Sequence, residues 1–231
     1  GYGISLRPLV LFAEKMYDEE DPNKAAKKAI SIILFKLEGQ IIRRNPEYQM
    51  EDRLLLDKVD YENACIELDD KSYPLKEKRF PTVDRDDPYK LSQAEREIMD
   101  ELEKLFLESE QLQRHVEFLY SHGSMYQVFN GNLLFHGCVP LDEDGALKAI
   151  HLEGRIYQGR SYMDYADMAA RRAFFSEDPP QRYLDFMWYL WCGSNSPLSG
   201  RVVKTFERTF IEDKSTWEEP KNPYYEYQSS E

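Results

Sequence analysis

The stretch Met125-Tyr126-Gln127-Val128-Phe129-Asn130-Gly131-Asn132-Leu133-Leu134-Phe135-His136-Gly137-Cys138-Val139-Pro140 decides the fold class. Two short apolar runs, 125–129 and 132–135, flank Asn130-Gly131, the dipeptide that favours a tight hairpin turn. They read as paired strands. The second should be a buried strand that opens into a loop at His136, where the bare backbone of Gly137 leaves a crevice. Upstream of Gly123 the pattern is mainly helical, so the change of period there predicts an α+β chain. A helical module occupies 1–122 and an α+β portion occupies 123–231.

Within the helical portion, apolar residues recur over 24–44 at Ala26, Ile30, Ile33, Leu34, Leu37 and Ile41, three and four apart on one helical face. Lys27, Lys28 and Lys36 fall on the other faces, and Asn45-Pro46 ends the helix. Ser92-Gln93-Ala94-Glu95 has the spacing of a capping box, in which hydroxyl and carboxylate each satisfy a backbone N–H at a helix start. From there Ile98, Leu102, Leu105, Leu112, Val116 and Leu119 hold one stripe to His122-Gly123, predicting a single long helix with 24–44 as its partner. A short helix at 53–58 and an extended stretch at 63–68 precede a polar connection over 69–88 that should cross the surface.

Beyond the hairpin, a second strand pair is expected at 146–152 and 154–158, then helices at 161–175 and 180–191. The last residues, with Pro220, Pro223 and several Tyr, read as an extended tail.

Of the 231 residues, 30 are Lys or Arg and 43 are Asp or Glu, a net charge of −13 that argues against non-specific nucleic-acid binding. A phosphate site must then be a local cluster of Arg, Lys or metal charge. Cys65, Cys138 and Cys192 stand far apart and odd in number, which suits a reducing compartment. No run approaches the ~20 apolar residues of a membrane span, and the start lacks a secretory leader's pattern, so the expectation is a cytoplasmic protein without membrane contact. There is no initiating Met, and the apolar run from Pro8 to Phe12 reads as the interior of a fold, as an internal segment of a longer protein would.

Two places could carry chemistry. His136 at a strand end suits a metal ligand or general base, because neutral imidazole binds divalent ions and titrates near neutrality. Spacing alone favours instead a histidine satisfied by a backbone carbonyl, since no second ligand stands at coordination spacing. The run from Trp188 to Arg201 places aromatics before Cys192-Gly193-Ser194-Asn195-Ser196-Pro197-Leu198-Ser199-Gly200-Arg201. Asn195, Ser196 and Arg201 could there offer hydrogen bonds and a guanidinium fork to a sugar phosphate, or the run is a core helix with an ordinary loop. Arg155, Arg160, Arg171 and Arg172 form a basic island, while His115, His122 and His151 read as packed, helix-end and outward-facing residues.

The run Asn130 to Leu141 resembles a segment of the class 3 fructose-1,6-bisphosphatases. So do Phe186 to Gly193 with Asn195-Ser196-Pro197-Leu198, Thr205 to Ile211, and Lys221-Asn222-Pro223-Tyr224-Tyr225. The resemblance implies a calcineurin-like αββα sandwich with two divalent metals, manganese being expected, and hydrolysis of the 1-phosphate of fructose 1,6-bisphosphate in gluconeogenesis. That family's ligand motifs run Asp-x-His, Gly-Asp-x-x-Asp-Arg, Gly-Asn-His-Asp/Glu, a lone His, then Gly-His-x-His/Pro. His136 matches the lone His, and the others are not among these 231 residues. By resemblance, then, the chain carries a long-helix module and a partial sandwich, and is inactive without the remainder of its parent chain. The competing reading is a non-catalytic helical domain for interaction or homo-oligomer assembly.

Overall fold

The computed structural model describes residues 2–229. In chain order these form α1 (Arg7–Met16), α2 (Pro22–Arg44), three short 3-10 turns, β1 (Val59–Asp60), β2 (Cys65–Leu68) and β3 (Lys71–Pro74). Then come α3 (Gln93–Leu107), α4 (Glu110–His122), β4 (Tyr126–Phe129), β5 (Asn132–Phe135), β6 (Ile150–Leu152) and β7 (Arg155–Tyr157). The chain closes with α5 (Gly159–Phe175), α6 (Gln181–Cys192), α7 (Thr205–Phe210), a 3-10 turn at Lys214–Trp217 and α8 (Tyr224–Ser229). Among the described residues the strands form one three-stranded and two two-stranded sheets, all antiparallel. The chain is α+β.

Contacts divide it into two compact units. The first comprises Gly1–Arg44, Glu51–Glu117 and Thr205–Trp217, and α2 is its centre because that helix is apolar on two sides. One side sets Ala25, Ala26, Ala29 and Ile33 against Leu9 and Ala13 of α1 and Ile98 and Leu102 of α3. The other gives Ile32 and Phe35 to a cluster with Leu56, Ile66, Leu75, Phe206, Phe210 and Ile211. Helix α1 packs on both α2 and α3, and α2 and α3 meet directly through Lys36 and Glu95.

Three expectations in this unit are corrected. Lys36 is not on a solvated face; it is fully buried, with Nζ donating to Glu95 Oε2 at 2.7 Å and to the Thr82 carbonyl at 2.5 Å. Glu95 is the capping-box carboxylate, accepting from Ser92 N at 2.7 Å while Glu95 N donates to Ser92 Oγ at 3.2 Å. One buried acid thus starts α3 and neutralises a lysine of α2. The predicted single long helix is instead two, because the chain breaks at Glu108 and Ser109. Ser109 is buried and its hydroxyl donates to the Tyr2 carbonyl at 2.8 Å. The polar passage 69–88 does more than cross the surface. It contains β3, its Leu75 bridges to Ile211, and Phe80 and Val83 pack on the second cluster.

The second unit comprises Asn45–Met50, Phe118–Lys204 and Glu218–Glu231. Helices α5 and α6 pack together around Tyr162, Tyr165, Phe186 and Tyr189, and Tyr48 lies 4.5 Å from the Tyr189 ring centroid. The expected extended tail is folded here: Asn222 Oδ1 accepts from Leu141 N, Tyr225 OH donates to the Ser199 carbonyl, and Tyr227 OH to that of Glu143. Strands β4 and β5 form the predicted hairpin, with Phe129 opposite Asn132 and φ of 51° and 76° at Asn130 and Gly131. Two positive φ values in succession make the right-handed twist of the strands continuous through the turn, which is why Asn-Gly occupies it. The hairpin is not buried, however. Val128, Phe129, Leu133 and Leu134 are each more than half exposed, and among the described residues β5 pairs with β4 alone.

Candidate functional site

The hairpin ends at Phe135, and the chain passes at once into His136-Gly137-Cys138. His136 is exposed, and among the described residues its ring enters no hydrogen bond, so it is not the carbonyl-satisfied histidine that spacing also allowed. Two residues on, Cys138 is wholly buried. Its N–H donates to the Pro197 carbonyl at 3.0 Å, and its Sγ–H to the Ser196 carbonyl at 3.3 Å. Burial pushes the Cys138 thiol from its ordinary 9.0 up to about 12, which keeps it a neutral donor.

Gly137 lies flat on the same loop. A Cβ there would overlap the Pro197 carbonyl oxygen and stand 2.7 Å from that of Leu198. Only a glycine permits this approach. The two sequence runs singled out for chemistry, 136–140 and 188–201, therefore meet, and their backbones are hydrogen-bonded.

The residues of the second run have distinct roles. Ser196 is fully buried: its Oγ donates to the Leu190 carbonyl at the end of α6 and accepts from the N–H groups of Leu198 and Ser199 at 3.1 and 3.3 Å. Its hydroxyl is committed inside the loop. Asn195 is half-buried, and its Oδ1 accepts from Asn222 Nδ2 at 3.1 Å. Arg201 has a half-exposed guanidinium 3.4 Å from Glu219 Oε2 and a backbone bridge to Lys221. Asn195, Ser196 and Arg201 thus share one loop with the partner of Cys138.

Two of the four arginines of the basic island are paired with acids. Arg160 pairs with Asp164 and Arg171 with Asp167, each four residues apart on α5. Sequence reading missed what the second pair does. Asp167 Oδ1 accepts from Met125 N at 3.2 Å, while Arg171 donates to the carbonyls of Tyr120 and Gly123. The pair brackets the chain between α4 and β4, and so sets where the hairpin starts. Its only sequence signal was the i,i+4 spacing of opposite charges. An open recess of about 460 Å³ lies beside it, lined by Met125, Tyr126, Asp164, Asp167 and Met168 among others.

His115 accepts or donates at Nδ1 with Tyr2 OH, His122 Nδ1 donates to the Phe118 carbonyl at its helix end, and His151 is exposed on β6. Among the described residues no group of three or more His, Cys, Asp or Glu could hold a metal ion.

The profile of the family described as Firmicute fructose-1,6-bisphosphatase matches residues 1–231. The chain belongs to this family. It is 48% identical over 254 residues to a protein of Clostridium botulinum (strain Langeland) named Fructose-1,6-bisphosphatase class 3, covering 100% of the chain and 38% of that relative. It is 49% identical over 255 residues to a protein of the same name from Clostridium novyi (strain NT), with the same coverage. The chain therefore spans 38% of the length of these curated relatives. No solved structure matches it. Among the described residues no helix is long and apolar enough to cross a membrane.

Proposed function

We propose that the chain is part of a cytoplasmic fructose-1,6-bisphosphatase that hydrolyses the 1-phosphate of fructose 1,6-bisphosphate in gluconeogenesis, with manganese as its divalent metal. The family match over the whole chain carries this reading. In it, His136 contributes one imidazole to a metal centre whose other ligands come from the remainder of the longer protein. Its exposed ring at the end of a hairpin, with no hydrogen bond among the described residues, supports that assignment. A bound ion of this kind activates water and offsets charge on a phosphate.

The chain's own residues hold and orient. His136 would offer one ring nitrogen's lone pair to such an ion. In this reading Arg201 and Asn195, on the loop that touches the backbone after His136, orient a sugar phosphate by a guanidinium and an amide. Ser196 shapes that loop from within. The exposed apolar faces of β4 and β5 fit surfaces that the remainder of the protein covers, as completion of an αββα sandwich would require.

A second reading for the helical portion, assembly into a homo-oligomer, is favoured by α4, which has no buried residue, and by the exposed Phe106 and Leu107 at the end of α3. It is compatible with the first and is read by the mass of the full-length protein in solution.

The test of the enzymatic reading is phosphate release from fructose 1,6-bisphosphate by the full-length protein. Release with Mn2+, abolished by a chelator and absent from residues 1–231 alone, is expected. Folded full-length protein that releases none with any divalent ion would end it.

A further inference from the structure

We propose that Gly137, Cys138 and Ser196 are positioning residues for His136, acting through the loop that follows α6. The inference rests on the reading of His136 as a metal ligand. The hairpin alone holds that histidine poorly. Among the described residues strand β5, four residues long, pairs with β4 alone, and its side chains are largely exposed. What fixes the backbone at 136–138 is the other side of the chain.

The linkage can be followed atom by atom. Helix α6 is anchored in the aromatic core by Tyr183, Phe186, Tyr189 and Leu190. The Leu190 carbonyl accepts from Ser196 Oγ, and that same oxygen closes the loop by accepting from Leu198 N and Ser199 N. The loop so shaped presents two successive carbonyls, Ser196 and Pro197, to the thiol and N–H of Cys138. Gly200, at φ 60°, brings its Cα against Cys138 Sγ, where a Cβ would overlap the sulfur. Gly137 has no room for a side chain against Pro197 and Leu198. The ring of His136 therefore projects into solvent from a backbone whose next two residues are pinned.

Outer partners that aim a ligating histidine are worth on the order of 10–100-fold in metal affinity, and a ligand displaced by about half an ångström loses productive geometry. A Cβ at position 137 must move either the loop or the histidine. Removing Ser196 Oγ loosens both carbonyls at once.

The experiment measures Mn2+ binding to full-length protein by equilibrium dialysis, with thermal midpoints, for Gly137→Ala, Ser196→Ala, His136→Ala and Arg53→Met. The last breaks the buried pair with Glu207, remote in role from this loop, and serves as a control for simple destabilisation. Expected is a loss of affinity on the order of 10–100-fold for Gly137→Ala and Ser196→Ala, with wild-type affinity in Arg53→Met at a comparable midpoint. If Gly137→Ala does not fold, Cys138→Ala replaces it; it keeps the N–H bond to Pro197, removes the thiol's, and should weaken binding by less in the same direction. Wild-type affinity in these folded variants, with affinity lost in His136→Ala, overturns the positioning role. Undiminished binding in His136→Ala overturns instead the reading on which it rests.

Discussion

The N–H of Cys138 and the carbonyl oxygen of Pro197 are hydrogen-bonded at 3.0 Å, so the end of an exposed hairpin is tied to the loop that leaves a buried aromatic helix. That bond joins the stretch that carries the exposed His136 to the loop that carries Asn195 and Arg201. The consequences of its supports can be measured separately.

Ser196→Ala should destabilise the chain's second unit by about 1–3 kcal/mol, because two N–H donors lose their buried acceptor and a carbonyl loses a donor. Urea unfolding followed by tryptophan fluorescence reads this, since Trp188 and Trp191 lie on α6. A change within ~0.3 kcal/mol would mean the loop is held by other contacts.

Arg171→Lys should free the entry to β4. A lysine cannot reproduce the fork that reaches Asp167 and the two carbonyls of Tyr120 and Gly123. The amide of Met125, which Asp167 holds, is expected to exchange with solvent markedly faster while amides of α6 keep wild-type protection. Equal protection of Met125 in both proteins counts against the bracket.

Lys36→Met leaves the Glu95 carboxylate buried without its cation and should cost about 3–5 kcal/mol. Adding Glu95→Gln removes that charge and keeps an amide able to serve the capping box, so the double variant should recover much of the loss. A double-mutant cycle in thermal unfolding gives the coupling, and additive effects would show that the pair is not linked as described.

Tyr17 supplies a pH test. Burial raises its phenol from 10.0 to about 12, with nearby Glu95 and Glu77 adding to the rise and the hydrogen bond to Thr82 opposing it. Because the folded form holds the proton more tightly, its contribution is complete below pH 10 and disappears as the pH climbs through 12. Tyr17→Phe should therefore lose less stability than the parent between pH 10 and 12 in urea titrations. Identical slopes would place the Tyr17 hydroxyl in water.

What could be read in the sequence was what neighbours decide. The capping box of Ser92 and Glu95 spans three residues, and the turn at Asn130-Gly131 spans two, so both were legible. The burial of Lys36 was not, because its partner Glu95 lies 59 residues away and nothing local marks a lysine for the interior. Passage 69–88 looked polar for the same reason: Leu75 and Phe80 gain their burial from Phe210 and Ile211, far along the chain. The hairpin was recognised but its exposure was not, since alternation says which residues are apolar and not whether anything covers them. At the site, His136 and the loop of Asn195 to Arg201 were each picked out singly. Their junction, across the sequence separation of 58 from Cys138 to Ser196, required the fold.

The most direct test is pulsed electron paramagnetic resonance on the Mn2+-loaded full-length protein, comparing wild type with His136→Ala. Nitrogen modulation in the variant that is weaker than in the wild type by one coordinated imidazole is the predicted result. Identical nitrogen modulation in the two, with the metal still bound, would contradict the assignment of His136 to the metal centre.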